Sequence, residues 1–330
     1  MIVYLFRRLA VALLILLVIC ALTFAVFYLM QADPAQAACG KSCSPERIAQ
    51  IRQTLGLDRP VYAQFWSYLT GIVAGRRLGT GADAIECPFP CLGFSFQTGQ
   101  PVWSMLTDRL GVSISVAVGA AVLWLLVGVL AGIVAALRQG TLLDRTVMVA
   151  ALGGISLPVY LTALLLQYLL VAELQLLPYP SGVSFAEDPA LWFAAMLMPW
   201  VTLAMLYAGI YARITRGEVV DSLSRGFVRT ARAKGLPERT VIRRHALRPG
   251  LMPIVTIFGM DVGALLGGAL ITESVFGLPG VGKLAADSIA SSDQPVILGI
   301  TLFAAGFVVV ANVMVDVGYA FLDPRVRTAG

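Results

Sequence analysis

The chain has 330 residues, of which 58% are hydrophobic and only 13% charged. A soluble core of this size does not need so much apolar surface, and the balance is that of an integral membrane protein. The net charge of +5 is too modest to imply nucleic acid, so where the basic residues sit matters more than their number.

Six apolar runs reach the roughly 20 residues that cross a bilayer at about 1.5 Å each: about 9–30, 111–137, 147–172, 191–212, 250–272 and 296–320. They predict an all-α membrane protein of six transmembrane helices, divided into an N-terminal helix (1–30), an extracytoplasmic loop region (31–109) and a core of five further helices (110–330). Cytoplasmic loops carry the excess of Lys and Arg. Arg7 and Arg8 precede the first span, Arg138 and Arg145 follow the second, ten basic residues lie within 213–249, and Arg325 and Arg327 follow the sixth. The loops of opposite parity, about 173–190 and 273–295, hold Glu173, Glu187, Asp188, Glu273, Asp287 and Asp293 against Lys283 alone. Both termini are therefore expected in the cytoplasm.

The first span is followed by Ala35-Gln36-Ala37 and Cys39, a faint likeness to a processing site. Its apolar stretch exceeds the 7–15 residues usual in a signal peptide, so it is read as a retained anchor, with Cys20 as inert packing. The long segment 31–109 has seven basic and six acidic side chains, and it holds Cys39, Cys43, Cys87 and Cys91 in two C-x3-C spacings. In that compartment disulfides persist, and four cysteines allow three pairings. Zinc is the weaker alternative, because the two-residue gap typical of such sites is missing, and no metal is expected.

In the third span Pro158 and Gln167 stand out, as a kink or as lining of a path. The loop 213–249 carries GFVRTARAKGLPERTVIRRHALRPG from Gly226 to Gly250. On a helix Phe227, Val228, Ala231 and Gly235 fall near one face, while Arg225, Arg229 and Arg232 spread over the other. Gly235 is placed to end that helix, with Pro237 and Glu238 opening the next. A basic helix resting on anionic lipid is one reading. A helix-turn-helix DNA reader is another, but about 37 residues pinned at both ends by spans leave no domain to carry it.

The fifth span places Asp261 about 16 Å along a helix that starts near Gly250, close to mid-bilayer. Gly259, Gly263 and Gly267 form two overlapping G-x-x-x-G spacings, a ridge for close helix packing, and Asp261 points away from it. Two readings stand side by side: Asp261 lines a cargo path, or it is the buried partner of a Ser, Thr or Gln on a neighbouring helix. Glu273 follows at the end of the span as a further candidate for the path.

Then comes GLPGVGKL, residues 277–284, whose first seven fit the G-x-x-x-x-G-K skeleton of a phosphate-binding loop. Leu284 stands where Ser or Thr would hold magnesium, Pro279 removes a backbone donor, and the preceding segment is a membrane helix rather than a strand. The chain is thus not expected to bind or hydrolyse nucleotide. In the sixth span Asp316 reads as a packing or interface residue.

The loop resembles the cytoplasmic motif of ATP-binding-cassette importer permeases, E-A-A-x3-G-x9-I-x-L-P. Gly235 matches the central glycine, Ala231 the second alanine and Leu247 the leucine. Arg229 replaces Glu, Thr230 the first Ala, His245 the Ile and Arg248 the Pro, with Pro249 one position later. The runs VRTARAKGL and RHALR are similar to the variant in the dipeptide, oligopeptide and nickel branch, first-subunit type. So are LGLDRPVYAQFWSYL (55–69), TGQPV (98–102), ISLP (155–158), LPYPSG (177–182), TESVFGLPGVGKL (272–284) and DVGYAFLDPRV (316–326). An insertion near 76–93 carrying Cys87 and Cys91, and the Cys39/Cys43 pair, depart from the family.

The resemblance implies a type I importer permease in the bacterial inner membrane. It would pair with a second permease, two cytoplasmic ATPases or one fused ATPase, and an external solute-binding protein that delivers peptides, with nickel or another small solute as the alternative cargo. ATP and magnesium would be bound by the ATPases. The helix ending at Gly235 would dock on them through Phe227 and Val228, ringed by arginines, with His245 on the following helix. A secondary transporter or channel would also be helical, but such proteins show paired broken helices or several buried ionisable groups.

Overall fold

A computed structural model describes residues 2–29, 34–39, 43–79, 84–180 and 185–322; the side chain of Asp316, and Arg325 and Arg327, lie outside them. The helices in chain order are α1 (Ile2–Leu29), α2 (Pro34–Cys39), α3 (Pro45–Leu55), α4 (Val61–Ala74), α5 (Val102–Leu137), α6 (Leu142–Ser156), α7 (Val159–Glu173) and α8 (Pro189–Ser224), followed by α9 (Gly226–Ala233), α10 (Glu238–Gly250), α11 (Met252–Leu266), α12 (Leu270–Val275), α13 (Val281–Ser291) and α14 (Gln294–Leu322). Two small antiparallel ribbons, β1 (Arg76–Leu78) with β2 (Ile85–Cys87) and β3 (Phe94–Ser95) with β4 (Gln100–Pro101), lie between α4 and α5.

Four of these helices contain uninterrupted stretches long and apolar enough to span a bilayer. Counting each bent pair, α6 with α7 and α10 with α11, as one span gives six. The third span is not the continuous helix expected over 147–172. Its halves meet at 95° because Leu157, the residue before Pro158, is extended at φ −85°, ψ 127°, as the proline ring demands. The fifth expected span is also interrupted. It bends by 43° at Leu251, and α11 stops at Leu266, where Gly267 and Gly268 open a gap before α12.

The chain folds as two compact units. The first holds residues 1–113, 263–270 and 279–330. Its core joins Leu92, Val102, Met105 and Leu106 to Val281, Leu284, Val296 and Ile300, while Cys20 and Phe24 of α1 pack with Tyr68 and Leu302. A Cβ on Gly263 would lie 2.5 Å from Ala311 Cβ, and one on Gly267 2.6 Å from Ala304 Cβ, so these two glycines seat α14 against the chain at close range. GLPGVGKL becomes the entry to α13. Gly268 sits at φ +117°, and its added Cβ would be 2.6 Å from the Gly282 nitrogen. The Val281 amide donates to Ser113 Oγ at 2.8 Å. Backbone packs on backbone here, and the first-turn amide that a phosphate would need is already bonded.

The β3–β4 ribbon is tied to the turn before α14. Ser95 Oγ donates to Asp293 Oδ2, and Gln97 Nε2 donates to Ser291 O at 3.3 Å. Burial pushes the Asp293 carboxyl above its usual range, with the Ser95 hydrogen bond opposing. A carboxyl whose pKa is higher folded than unfolded stabilises the fold below its unfolded pKa, and that gain is lost as pH rises through the folded value.

The second unit holds 114–262 with 271–278. Its centre is α8, against which α5 and α6 press at backbone distance. A Cβ on Gly128 would lie 2.8 Å from Ala208 O, one on Gly132 2.6 Å from Ala212 O, and one on Gly209 2.5 Å from Ala151 O. Lipid offers no hydrophobic drive for helix association, so contact at this range supplies the attraction.

Two outcomes follow. Gly132→Ala should cost about 1–3 kcal/mol through overpacking and lower the melting temperature of purified protein, whereas Gly153→Ala, with nothing within 4 Å of its new methyl, should not. Melting temperature should fall as pH rises through and above the ordinary carboxylate range, and Asp293→Asn should remove that component of the slope.

Candidate functional site

At the end of α8 the chain turns through Arg225, extended at φ −68°, ψ 150°, into α9. Thr230 and Ala233 lie within this amphipathic helix, which ends through Lys234 into Gly235 at φ +75°. That left-handed conformation is strained for any residue with a Cβ. The Gly235 amide donates to Arg232 O at 2.9 Å, and Leu236 N–H returns to Ala231 O at 3.4 Å, closing the helix end. Pro237 then opens α10, which winds as a π-helix over Val241–Leu247.

Within this hairpin of helices Val228 (0% exposed) and Ala231 pack on Val241 and Ala246, with Leu223 alongside. The expectation that Phe227 and Val228 together form the docking face is therefore changed. Val228 and Ala231 hold the hairpin together, while Phe227 stays 45% exposed. Arg225 pairs with Asp221 at 2.7 Å and Arg232 with Glu238 at 2.7 Å, all on the surface. The Arg232 guanidinium holds the Glu238 carboxyl below its usual range. Arg229 and Lys234 are exposed, and His245 is half-buried. The hairpin is braced to α8 by Ser222 Oγ, which donates to Ala246 O at 2.8 Å, and by Gly250, whose Cβ would meet Glu218 O at 3.3 Å.

Deeper in the same unit Asp261 accepts a 2.7 Å hydrogen bond at Oδ2 from the Tyr211 hydroxyl. Its partner is thus a tyrosine, not the Ser, Thr or Gln considered from sequence. Trp124 stacks on Tyr207 at 4.6 Å and stands 6.0 Å from Tyr211 and 6.1 Å from Phe258, so the carboxylate sits beside an aromatic cluster. Asp261 remains half-exposed and its other oxygen has no bond among the described residues. Gly259 is half-buried two residues earlier. Gln167 Nε2 donates to Val275 O at 3.3 Å. Glu273 is 0% exposed, so in this conformation it lines no open path.

Residues 1–117 match the N-terminal domain of binding-protein-dependent transport system membrane components, and 128–328 match the binding-protein-dependent transport system inner membrane component itself. The chain belongs to this permease family. It is 33% identical over 325 residues to a probable peptide ABC transporter permease, y4tP, of Sinorhizobium fredii, covering 98% of this chain and 99% of the relative. It is 35% identical over 321 residues to a putative peptide transport system permease of Brucella abortus, with 97% and 98% covered. It is 32% identical over 351 residues to the dipeptide transport system permease DppB of Escherichia coli, with 99% of each covered. It is thus the permease component of an ABC importer, a multi-pass protein of the inner membrane.

Among the described residues an ion pair with a buried acid joins two positions that the sequence pattern does not mark. Asp144, 4% exposed at its side chain, accepts from Arg216 Nε at 2.6 Å and Nη2 at 2.7 Å, and from the Gly140 amide at 3.0 Å. Thr141 caps α6 by accepting from the Asp144 amide. The string Thr141-Leu-Leu-Asp144 has the spacing of a capping box, a legible signal, but nothing local points to Arg216, 72 residues away. This bidentate clamp fixes the α5–α6 turn to α8 nine residues before Arg225.

The cysteines pair within each spacing. Cys87 and Cys91 are bonded at 2.04 Å and Cys39 is bonded to Cys43. Cys87 and Cys91 are buried with Leu78, so the segment around the β1–β2 ribbon carries its own small core.

Removing either member of the clamp leaves an uncompensated charge, whereas removing both does not. Asp144→Ala and Arg216→Ala should each lower the melting temperature markedly, and the double variant should fall well short of their sum. Simple additivity would contradict the pairing.

Proposed function

We propose that this permease forms, with a second homologous permease, the path by which short peptides enter the cytoplasm, and that the α9–α10 hairpin transmits the work of partner ATPases to it. In this reading both termini and the hairpin are cytoplasmic, as the distribution of Lys and Arg favours. An external solute-binding protein delivers the cargo, and ATP and magnesium belong to the ATPases. The names of the relatives support peptides as cargo.

The observation that carries the proposal is the bracing of the hairpin. α9 is locked to α10 by the Val228, Ala231, Val241 and Ala246 cluster and to α8 by Ser222 and Gly250. A push on α9 is therefore passed to the 36-residue helix α8 instead of being absorbed in a loose loop. Phe227 supplies an exposed aromatic anchor, and Arg229 and Lys234 a positive rim, the usual arrangement of an aromatic centre inside a polar surround. Asp261, held by Tyr211 and open on its other oxygen, is the group we assign to the amino end of the cargo.

Two substitutions separate docking from folding. A Cβ added at Gly235 meets nothing within 4 Å, so the main cost of Gly235→Val is the left-handed backbone, about 1–2 kcal/mol. It should leave expression intact while lowering peptide uptake per ATP hydrolysed in proteoliposomes containing the whole importer. Phe227→Ala should weaken co-purification of the ATPases without changing the melting temperature of the permease. Normal uptake in both variants would refute the assignment.

A further inference from the structure

We propose that the cleft between α3, α4 and β1 is a recognition site for a carboxylate, suited to the C-terminal carboxylate of a short peptide. This rests on the peptide-importer reading above. The cleft has a volume of about 80 Å3 and is lined by Arg59, Arg76, Arg77, Gln53, Gln64 and Ser67. Arg59, Arg76 and Arg77 all border it; among the described residues Glu86 pairs with Arg77 at 2.7 Å, which leaves Arg59 and Arg76 as its cationic lining. Asp58, beside Arg59, is exposed and does not line the cleft.

Arg76 is the centre of the site. Its Nε is buried and has no hydrogen-bond partner, an expensive state for a charged donor unless something supplies an acceptor. Its stem crosses Gly71, where a Cβ would lie 2.8 Å from Arg76 Cδ, and its Cζ stands 5.3 Å from the centre of the Tyr68 ring. Gly71 and Tyr68 thus hold the guanidinium in place before any anion arrives. Gln64 Nε2 donates to Leu57 O at 3.1 Å and to Arg59 O at 2.8 Å, fixing the turn that carries Arg59. The first turn of α4, a 14-residue helix, adds its positive end.

A planar guanidinium pairs with a carboxylate through two parallel hydrogen bonds. Peptides of varied sequence share their backbone and their two ends, so a site indifferent to side chains must hold one of these. The arginines select the anionic end.

The test uses the complete importer, both permeases with their ATPases, in lipid nanodiscs without the solute-binding protein. Alanyl-alanine, its C-terminal amide and inorganic phosphate are titrated by calorimetry. Alanyl-alanine should bind about tenfold or more tightly than the amide, as a charge-assisted bidentate pair allows. Arg76→Gln should remove that preference, Arg76→Lys should restore part of it, and Arg59→Gln, at an exposed position, should reduce it without touching the melting temperature. Equal binding of acid and amide, or a preference that survives both glutamine variants, overturns the proposal. So does phosphate displacing alanyl-alanine at equal concentration, which marks a general anion site. Loss of binding-protein docking in the glutamine variants, with no acid preference for free peptide, assigns the cleft to an acidic side chain of that protein and also overturns it. In proteoliposomes supplied with the solute-binding protein, wild-type importer that takes up alanyl-alanine while failing these titrations defeats the cleft alone; failure to take it up there defeats the peptide reading as well.

Discussion

Backbone contact along α8 is the constraint from which the second unit is built. In hydrocarbon every backbone group must be satisfied within its own helix, and apolar side chains gain nothing by leaving lipid for each other. Helices there must touch closely to cohere. Gly128 and Gly132 bring α5 onto Ala208 and Ala212, and Gly209 lets Ala151 of α6 approach from another side. The result is a helix gripped along its length. At its end the Asp144–Arg216 pair adds a directional fastening, which unlike a glycine contact cannot slide.

Beyond that fastening the chain changes character. The α9–α10 hairpin is small, strongly basic and amphipathic, and its apolar residues are divided between two tasks. Val228 and Ala231 close its own core, and Phe227 stays outside. Gly235 makes the turn possible because it adopts, at little steric cost, a left-handed conformation that strains any residue with a Cβ. The aromatic cluster of Trp124, Tyr207, Tyr211 and Phe258 around Asp261 lies in the same unit, so the charged group assigned to cargo and the hairpin assigned to energy share one packed body.

Much of this was legible in the chain. The six apolar runs gave the number and order of spans, because length and hydropathy are local properties. Gly235 was legible as a helix stop from the proline two residues on. Pro158 stood out as a kink or as lining of a path, but the near right angle at it was not legible, since the direction of a bend is set by what the second half packs against. Periodicity identified the apolar face that holds Phe227 and Val228 but not what covers it; Val241 and Ala246 arrive from the next helix and bury Val228. The Asp144–Arg216 pair escaped for a related reason, being a contact between residues 72 apart. GLPGVGKL shows the opposite error that a motif invites: its spacing suggests phosphate, while its glycines serve the close contact of Gly268 with Gly282.

The central claim is that the outward face of α9 meets an ATPase. A photoreactive amino acid placed at Phe227 in the assembled importer tests it directly. Illumination is predicted to yield an adduct between this permease and an ATPase subunit, with a yield that changes between nucleotide-free and ATP-bound states. Adducts to lipid alone, or labelling at this position by an impermeant reagent added outside intact cells, would contradict it.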